Sequence, residues 1–250
     1  MSVHVRCVLH VQVSCYDGSA GGSDKRPAPA ESPFSMFGRD LIEQVWEDAK
    51  TSKNSNLFVP IIVEKCINFI EANAMDYEGI YRVNGDLEQS KAIVTLFERG
   101  DYEFSHLSDL GLFVAPSITF VLKNYFEMLP NPLLTFEMHE AFVAAGTEHR
   151  HSKGPVMRDL VRKLPIEHYR TLGRLMLHFH RIQLNAKVNL MNAQNLGVIF
   201  GPILMRSEYP SQQIEIASIG GSVLVIEFLI ENAPLIFHTF SILSVSRSTS

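Results

Sequence analysis

The chain has 250 residues, with 22 Lys and Arg against 27 Asp and Glu for a net charge of −5, and 46% of its residues are hydrophobic. That apolar content suffices for a packed core. The charge balance, without a block of like charges, speaks against a nucleic-acid or anionic-lipid partner. No run of about 18 apolar residues is present, which argues against a membrane span. The apolar N-terminus is interrupted by His4, Arg6, His10 and Gln12, a poor pattern for a secretory signal. Three cysteines do not make a disulfide framework, so a reducing, cytoplasmic setting is expected.

Residues 1–36 read as a flexible segment and linker, because Ser14 to Ser35 is rich in Ser, Gly, Pro and Ala. Asp40 is placed to cap a short helix through Val45 and Trp46. Pro60 opens a second helix, with Ile62, Cys66, Phe69 and Ile70 on one face. A third runs from Asp86 to Arg99 and is ended by Gly100. Residues 101–115 look irregular. Pro116 to Leu129 is helical, with Leu122, Tyr125, Phe126 and Leu129 on one stripe, and Pro130 and Pro132 end it. Further helices are expected at 136–145, 155–163, 166–184, 191–204 and 222–232, with Pro234 ending the last. No useful period-2 pattern and no repeat is found. The expectation is one all-α domain over residues 37–238, an irregular helix bundle, followed by a tail at 239–250.

Three segments carry the chemistry. The first is Tyr77-Glu78-Gly79-Ile80-Tyr81-Arg82-Val83-Asn84-Gly85, an arginine bracketed by glycines that permit backbone turns closed to other residues. Arginine suits phosphoryl transfer because its planar fork pairs with phosphate oxygens and stays charged. The bland alternative is that Tyr81 and Val83 pack inward and Arg82 meets water. The second segment runs from Leu122 through Lys123, Tyr125, Phe126 and Glu127 to Leu129-Pro130-Asn131-Pro132-Leu133. The third is Asn189-Leu190-Met191-Asn192-Ala193-Gln194-Asn195-Leu196-Gly197-Val198-Ile199-Phe200-Gly201-Pro202.

Taken together and in this order, the segments resemble the Rho GTPase-activating (RhoGAP) domain. The resemblance implies an activator that binds a Rho-family small GTPase in its GTP form and inserts Arg82 as an arginine finger, with Gly79 and Gly85 supporting the loop. A finger supplied in trans is worth about 10³–10⁵ in rate. Lys123, by the same resemblance, supports the loop and contacts the GTPase, and Asn195 lies on the binding face. Many members carry an arginine where this chain has Glu127, a reversal of charge on that face. As the i+4 neighbour of Lys123, Glu127 is placed to pair with it. Leu196, Val198, Ile199 and Phe200 read as core, Gly201-Pro202 as a helix end or kink, and Arg206 as structural. The resemblance implies no cofactor of the chain's own, since GTP and Mg²⁺ are held by the partner, and hence a stimulator and not an enzyme with its own nucleotide site. A monomer is expected. The rival reading is a non-catalytic module of the same fold that binds a GTPase or other signalling partner, and Glu127 is the feature in its favour.

Other sites are set aside. His4, Cys7 and Cys15 resemble the tail of a C1 zinc domain, but the ligands that should precede His4 are absent, so no metal is expected. His139-Glu140 begins like a zinc-protease motif, yet Val143 stands where the second histidine should be. His178 and His180 fall on different sides of a helix, one expected in the core and one at the surface. No phosphate-binding P-loop occurs. Cys66 reads as core.

Overall fold

The structure is a computed structural model that describes residues 35–102, 114–148, 150–208 and 212–237. Among these residues all regular structure is helical: α1 (Leu41–Ser52), α2 (Ile61–Asn73), α3 (Leu87–Glu98), α4 (Val114–Met128), α5 (His139–Thr147), α6 (Arg150–Val161), α7 (Ile166–Leu184), α8 (Ala186–Asn189), α9 (Ala193–Leu204), α10 (Gln212–Glu231) and α11 (Ala233–Ile236). The expected all-α bundle is thus present. The segment around His4, Cys7 and Cys15, and the tail from Thr239, lie outside the described residues.

Helix starts follow local chemistry. The Asp40 carboxylate accepts from the amides of Ile42 (2.9 Å) and Glu43 (3.4 Å) at the head of α1. Asp86 accepts from the amide of Gln89 at 2.8 Å to open α3, and Asn192 accepts from that of Asn195 at 2.8 Å to open α9. Each satisfies a backbone donor that the helix itself leaves open. Gly100, at φ +74°, takes the left-handed conformation just past α3.

Several of these expectations are corrected. Pro234 does not end the last helix. It occupies the first turn of the short α11, where its missing N–H costs nothing. The preceding helix is longer than expected and ends at Glu231. Helix α9 ends at Leu204, as expected, with Pro202 inside its last turn and not at its end; so close to the end, the proline forfeits a single backbone bond. Val198 is 59% exposed, because a helix of period 3.6 that buries Leu196, Phe200 and Leu204 must turn Val198 outward. Ile199 is only half-buried; Phe69, also half-buried, packs against the core from the expected face of α2.

The core is continuous from Met36 to Phe237. The long α7 runs through it, burying Leu172, Leu175, Met176, Phe179 and Ile182, and touches α1, α2, α8, α9, α10 and α11. Helices α9 and α10 pack along each other, and α4 bridges α2, α3 and α9. Cys66 is fully buried in this core, and burial pushes its thiol far above the ordinary range.

Candidate functional site

The site is built around the turn that joins α2 to α3. The amides of Arg82 and Val83 both donate to the carbonyl of Gly79, at 2.8 and 2.9 Å. Closing so tight a turn requires positive φ at two residues. One is Gly79 (φ +71°), the other Tyr81 (φ +69°). Glycine adopts this conformation freely, whereas a bulky aromatic rarely does. Space also demands glycine at 79: a β-carbon there would stand 2.9 Å from Val83 Cγ2 and 3.3 Å from Nε and Nη2 of Arg82. Gly85 serves differently from the turn role expected of it. Its φ is not in the left-handed region; instead a β-carbon would stand 2.4 Å from the backbone of Ser117. Only glycine lets the loop lie this close to the first turn of α4.

Tyr81 turns into the core and Arg82 turns out. The Tyr81 ring is 1% exposed and meets His178, Phe179 and Phe200 edge-on, with centroids at 5.8, 5.2 and 5.2 Å. Its hydroxyl lies 2.7 Å from Nε2 of His178, and Nδ1 of that ring lies 2.8 Å from Oε1 of Glu71. Glu71 in turn receives Arg174 Nη1 at 3.2 Å and Arg181 Nε at 3.1 Å. Arg174 also donates to Glu64 (3.0 Å) and Asn68 (2.8 Å).

The electrostatics assign the protons. Burial alone would raise the Glu71 carboxyl, but the bond from His178 and the nearby arginines overcome it and hold the group well below its usual range. A carboxylate only accepts, so the His178 proton sits on Nδ1 and Nε2 accepts from the Tyr81 hydroxyl. Burial lowers His178 from 6.5 to about 4, and burial keeps the Tyr81 phenol protonated far above neutrality.

Lys123 holds the other end of the same residue. Its Nζ donates to the Tyr81 carbonyl at 2.8 Å. Burial lowers its pKa, an effect opposed by the charge of Glu127 one turn away. Arg206, at the end of α9, donates to the carbonyls of Glu127 (2.7 Å), Phe126 (3.4 Å) and Leu129. It thereby satisfies the open carbonyls at the C-terminus of α4, and the charge of Glu127 also favours the Arg206 cation. Glu127 thus lies in the fields of two cations, Lys123 and Arg206.

The third segment is tied in through Asn189. This buried side chain donates to the carbonyls of Met75 and Ile182, each at 2.9 Å, and accepts from the Met191 amide at 2.9 Å. Its own carbonyl accepts the Gly79 amide at 2.7 Å. Asn195, half-exposed, donates from Nδ2 to the carbonyl of Leu190 at 3.0 Å. Leu190 and Val198 flank it as exposed apolar side chains, Val198 one turn on along the same face.

Lys123 and the Arg82 loop are therefore in direct contact, and Asn195 is joined to them through Leu190 and Asn189. Arg82 itself is exposed, and no hydrogen bond or ion pair engages its guanidinium among the described residues. Sequence reasoning missed Glu71, Arg174, Arg181 and Asn189, and set His178 aside. His178 is indeed core and His180 half-buried, but His178 is a polar core residue reaching the loop. Asn189 alone had a signal, since it opens the third motif.

A family model for the RhoGAP domain matches residues 60–209. The chain belongs to the RhoGAP domain family. Mouse beta-chimaerin is 34% identical over 189 residues, covering 74% of this chain and 56% of that protein. Bovine N-chimaerin is 34% identical over 194 residues, covering 76% of this chain and 55% of that protein, so the chain spans about half the length of these curated relatives. Among solved structures, human Rho GTPase activating protein 15 superposes with a TM-score of 0.71 at 29% identity, covering 82% of this chain and 92% of that one. The BH domain from GRAF, the GTPase regulator associated with focal adhesion kinase, gives 0.64 at 32% identity, with 71% and 93% covered. The long α7, α9 and the Arg82 loop all fall within the matched span of this domain.

Proposed function

We propose that the chain activates a Rho-family small GTPase, with Arg82 as an arginine finger inserted into the partner's nucleotide site. The observation that carries this reading is the contrast at one turn. Tyr81 is buried and bonded at both ends, while the next guanidinium stands exposed. A fixed backbone that presents one long cation suits charge neutralisation on a transferred phosphoryl group. GTP, Mg²⁺ and the water-orienting glutamine belong to the GTPase, so the chain supplies charge and order and no nucleotide site of its own. Lys123 supports the loop through the Tyr81 carbonyl. Asn195, Glu127 and the exposed Leu190 and Val198 form the adjoining contact face for the GTP-bound partner. The chain acts in this reading as a cytoplasmic monomer. Among the described residues no helix is long and apolar enough to cross a membrane.

The test is single-turnover GTP hydrolysis by purified Rho, Rac and Cdc42 types, with and without the chain. Acceleration of at least one by about a thousandfold or more is expected for a finger supplied in trans. Binding without acceleration of any would favour a non-catalytic module.

A further inference from the structure

Three groups stand behind the turn and are given no role of their own in that reading: Glu71, His178 and the Tyr81 hydroxyl. They form one line of hydrogen bonds, from α2 through α7 to the loop, at 2.8 and 2.7 Å. The line begins at a carboxylate pinned by Arg174 and Arg181 and ends on the residue whose backbone is in a left-handed conformation. Such a backbone persists only where its surroundings over-determine it. For Tyr81 the fixing contacts are Lys123 on the carbonyl, three aromatic edges on the ring and His178 on the hydroxyl.

We propose that Glu71 and His178 are positioning residues for the arginine finger, locking the far end of Tyr81 so that the backbone cannot leave the turn that points Arg82 outward. The proposal rests on the reading of Arg82 as the finger. The hydroxyl is the atom of Tyr81 farthest from the backbone, so a bond there resists rotation of the ring about Cα–Cβ with the longest lever. The direction of the line follows from chemistry: Glu71 accepts from Nδ1–H, leaving Nε2 to accept from the phenol. The charged groups facing His178 are Glu71 from α2 and Arg174 and Arg181 from α7. With the hydroxyl gone, the ring keeps its aromatic neighbours and the fold stands, but the turn is free to sample other backbone states. The contact face around Asn195 is untouched. The expected signature is therefore lost turnover at nearly unchanged association.

The experiment uses the full chain with the GTPase it stimulates, measuring hydrolysis over a range of GTPase concentrations to separate kcat from KM. Tyr81→Phe removes one atom, and His178→Gln keeps a polar group near the Nε2 position. Each is made alone and together with Arg82→Ala. Stimulated kcat should fall by about three- to tenfold in both single variants, with KM within about twofold, since a small misplacement of a positioned group lowers turnover disproportionately. On the Arg82→Ala background the same substitutions should cost nothing further, because residues acting through one group are non-additive. If His178→Gln does not fold by circular dichroism, Tyr81→Phe decides alone. An unchanged kcat in Tyr81→Phe, a loss confined to KM, or an equal loss with and without Arg82 would overturn the relay while leaving the finger standing. Full activation by Arg82→Ala alone would overturn the finger, and the relay with it.

Discussion

Arg82 differs from Arg174 and Arg206 in what its guanidinium touches. Arg174 bridges two carboxylates and Arg206 closes the end of α4, so both are committed inside the fold. The Arg82 side chain only passes over Gly79. Replacing it should therefore leave stability near that of the parent while removing function. Arg82→Ala is expected to lose most of the acceleration, on the order of 10³-fold or more, with affinity for the GTP-analogue complex largely kept. Arg82→Lys should restore little, since a point charge lacks the planar fork. Acceleration within about threefold of the parent in Arg82→Ala, against the 10³ or more a finger supplies, would move the chemistry elsewhere. Lys123 is the opposite kind of residue, committed to a main-chain carbonyl. Lys123→Met should lower both stability, by about 1–2 kcal/mol for a partly buried acceptor left unpaired, and stimulated turnover. Thermal melts and single-turnover rates read the two losses separately, and a loss in neither would mean that the bond to Tyr81 does not matter.

At the scale of elements, the α2–α7 contact carries a pH signature. His178 binds its proton less readily when folded, at about 4 against an ordinary 6.5. Between those values the unfolded chain takes up the proton and the folded chain does not, so stability falls as pH falls through that window. Glu71, held below its usual range by the same contacts, adds a further loss lower down. The melting temperature should be level between about pH 7 and 8 and decline from about 6.5 toward 4, the window of the His178 shift, to which His139 and His168, also lowered by burial, add. His178→Gln should flatten the upper part of that limb, and an unchanged limb would show that other groups produce it.

This contact also marks the border of what the sequence reveals. Helix starts at Asp40 and Asp86 are legible because a cap is decided within four residues. The three motifs are legible as family patterns, and they locate Arg82, Lys123 and Asn195. Glu71 and His178 are 107 residues apart, and no local period announces such a pair. Pro234 misleads for a related reason: a proline's effect depends on where in a helix it falls, which packing decides. Val198 was within reach, since its position on the outer face follows from the helical period once Leu196 and Phe200 are placed inside.

For the whole molecule, the family match begins at residue 60, but the packed core begins at Met36. The lead-in from Ser35 is part of the fold, because the Ser35 hydroxyl and the Met36 amide bond the Glu98 carboxylate at 2.7 and 3.0 Å. A chain cut to begin at Ser35 should melt within about 2 °C of the full chain and stimulate hydrolysis equally, as loss of a linker-like terminus would allow. A chain cut to begin at residue 60 should melt markedly lower, having lost α1 with Leu41 and Val45 from the core. Equal stability of the two cuts would show that α1 is dispensable.

The Asn189 carbonyl that receives the Gly79 amide has a consequence for the thermodynamics of encounter. Because the Arg82 turn is fastened to the segment bearing Asn195, the conformational freedom of that turn is already lost when the domain folds. Docking then orders little beyond the Arg82 side chain. Calorimetry of association with a GTPase should accordingly show a heat-capacity change that follows from the apolar surface covered, with no additional component from coupled folding. Asn189→Ala keeps that carbonyl but removes the side-chain bonds to Met75, Ile182 and Met191 that hold it in place; the loosened turn should make the heat-capacity change more negative and the entropy of association less favourable.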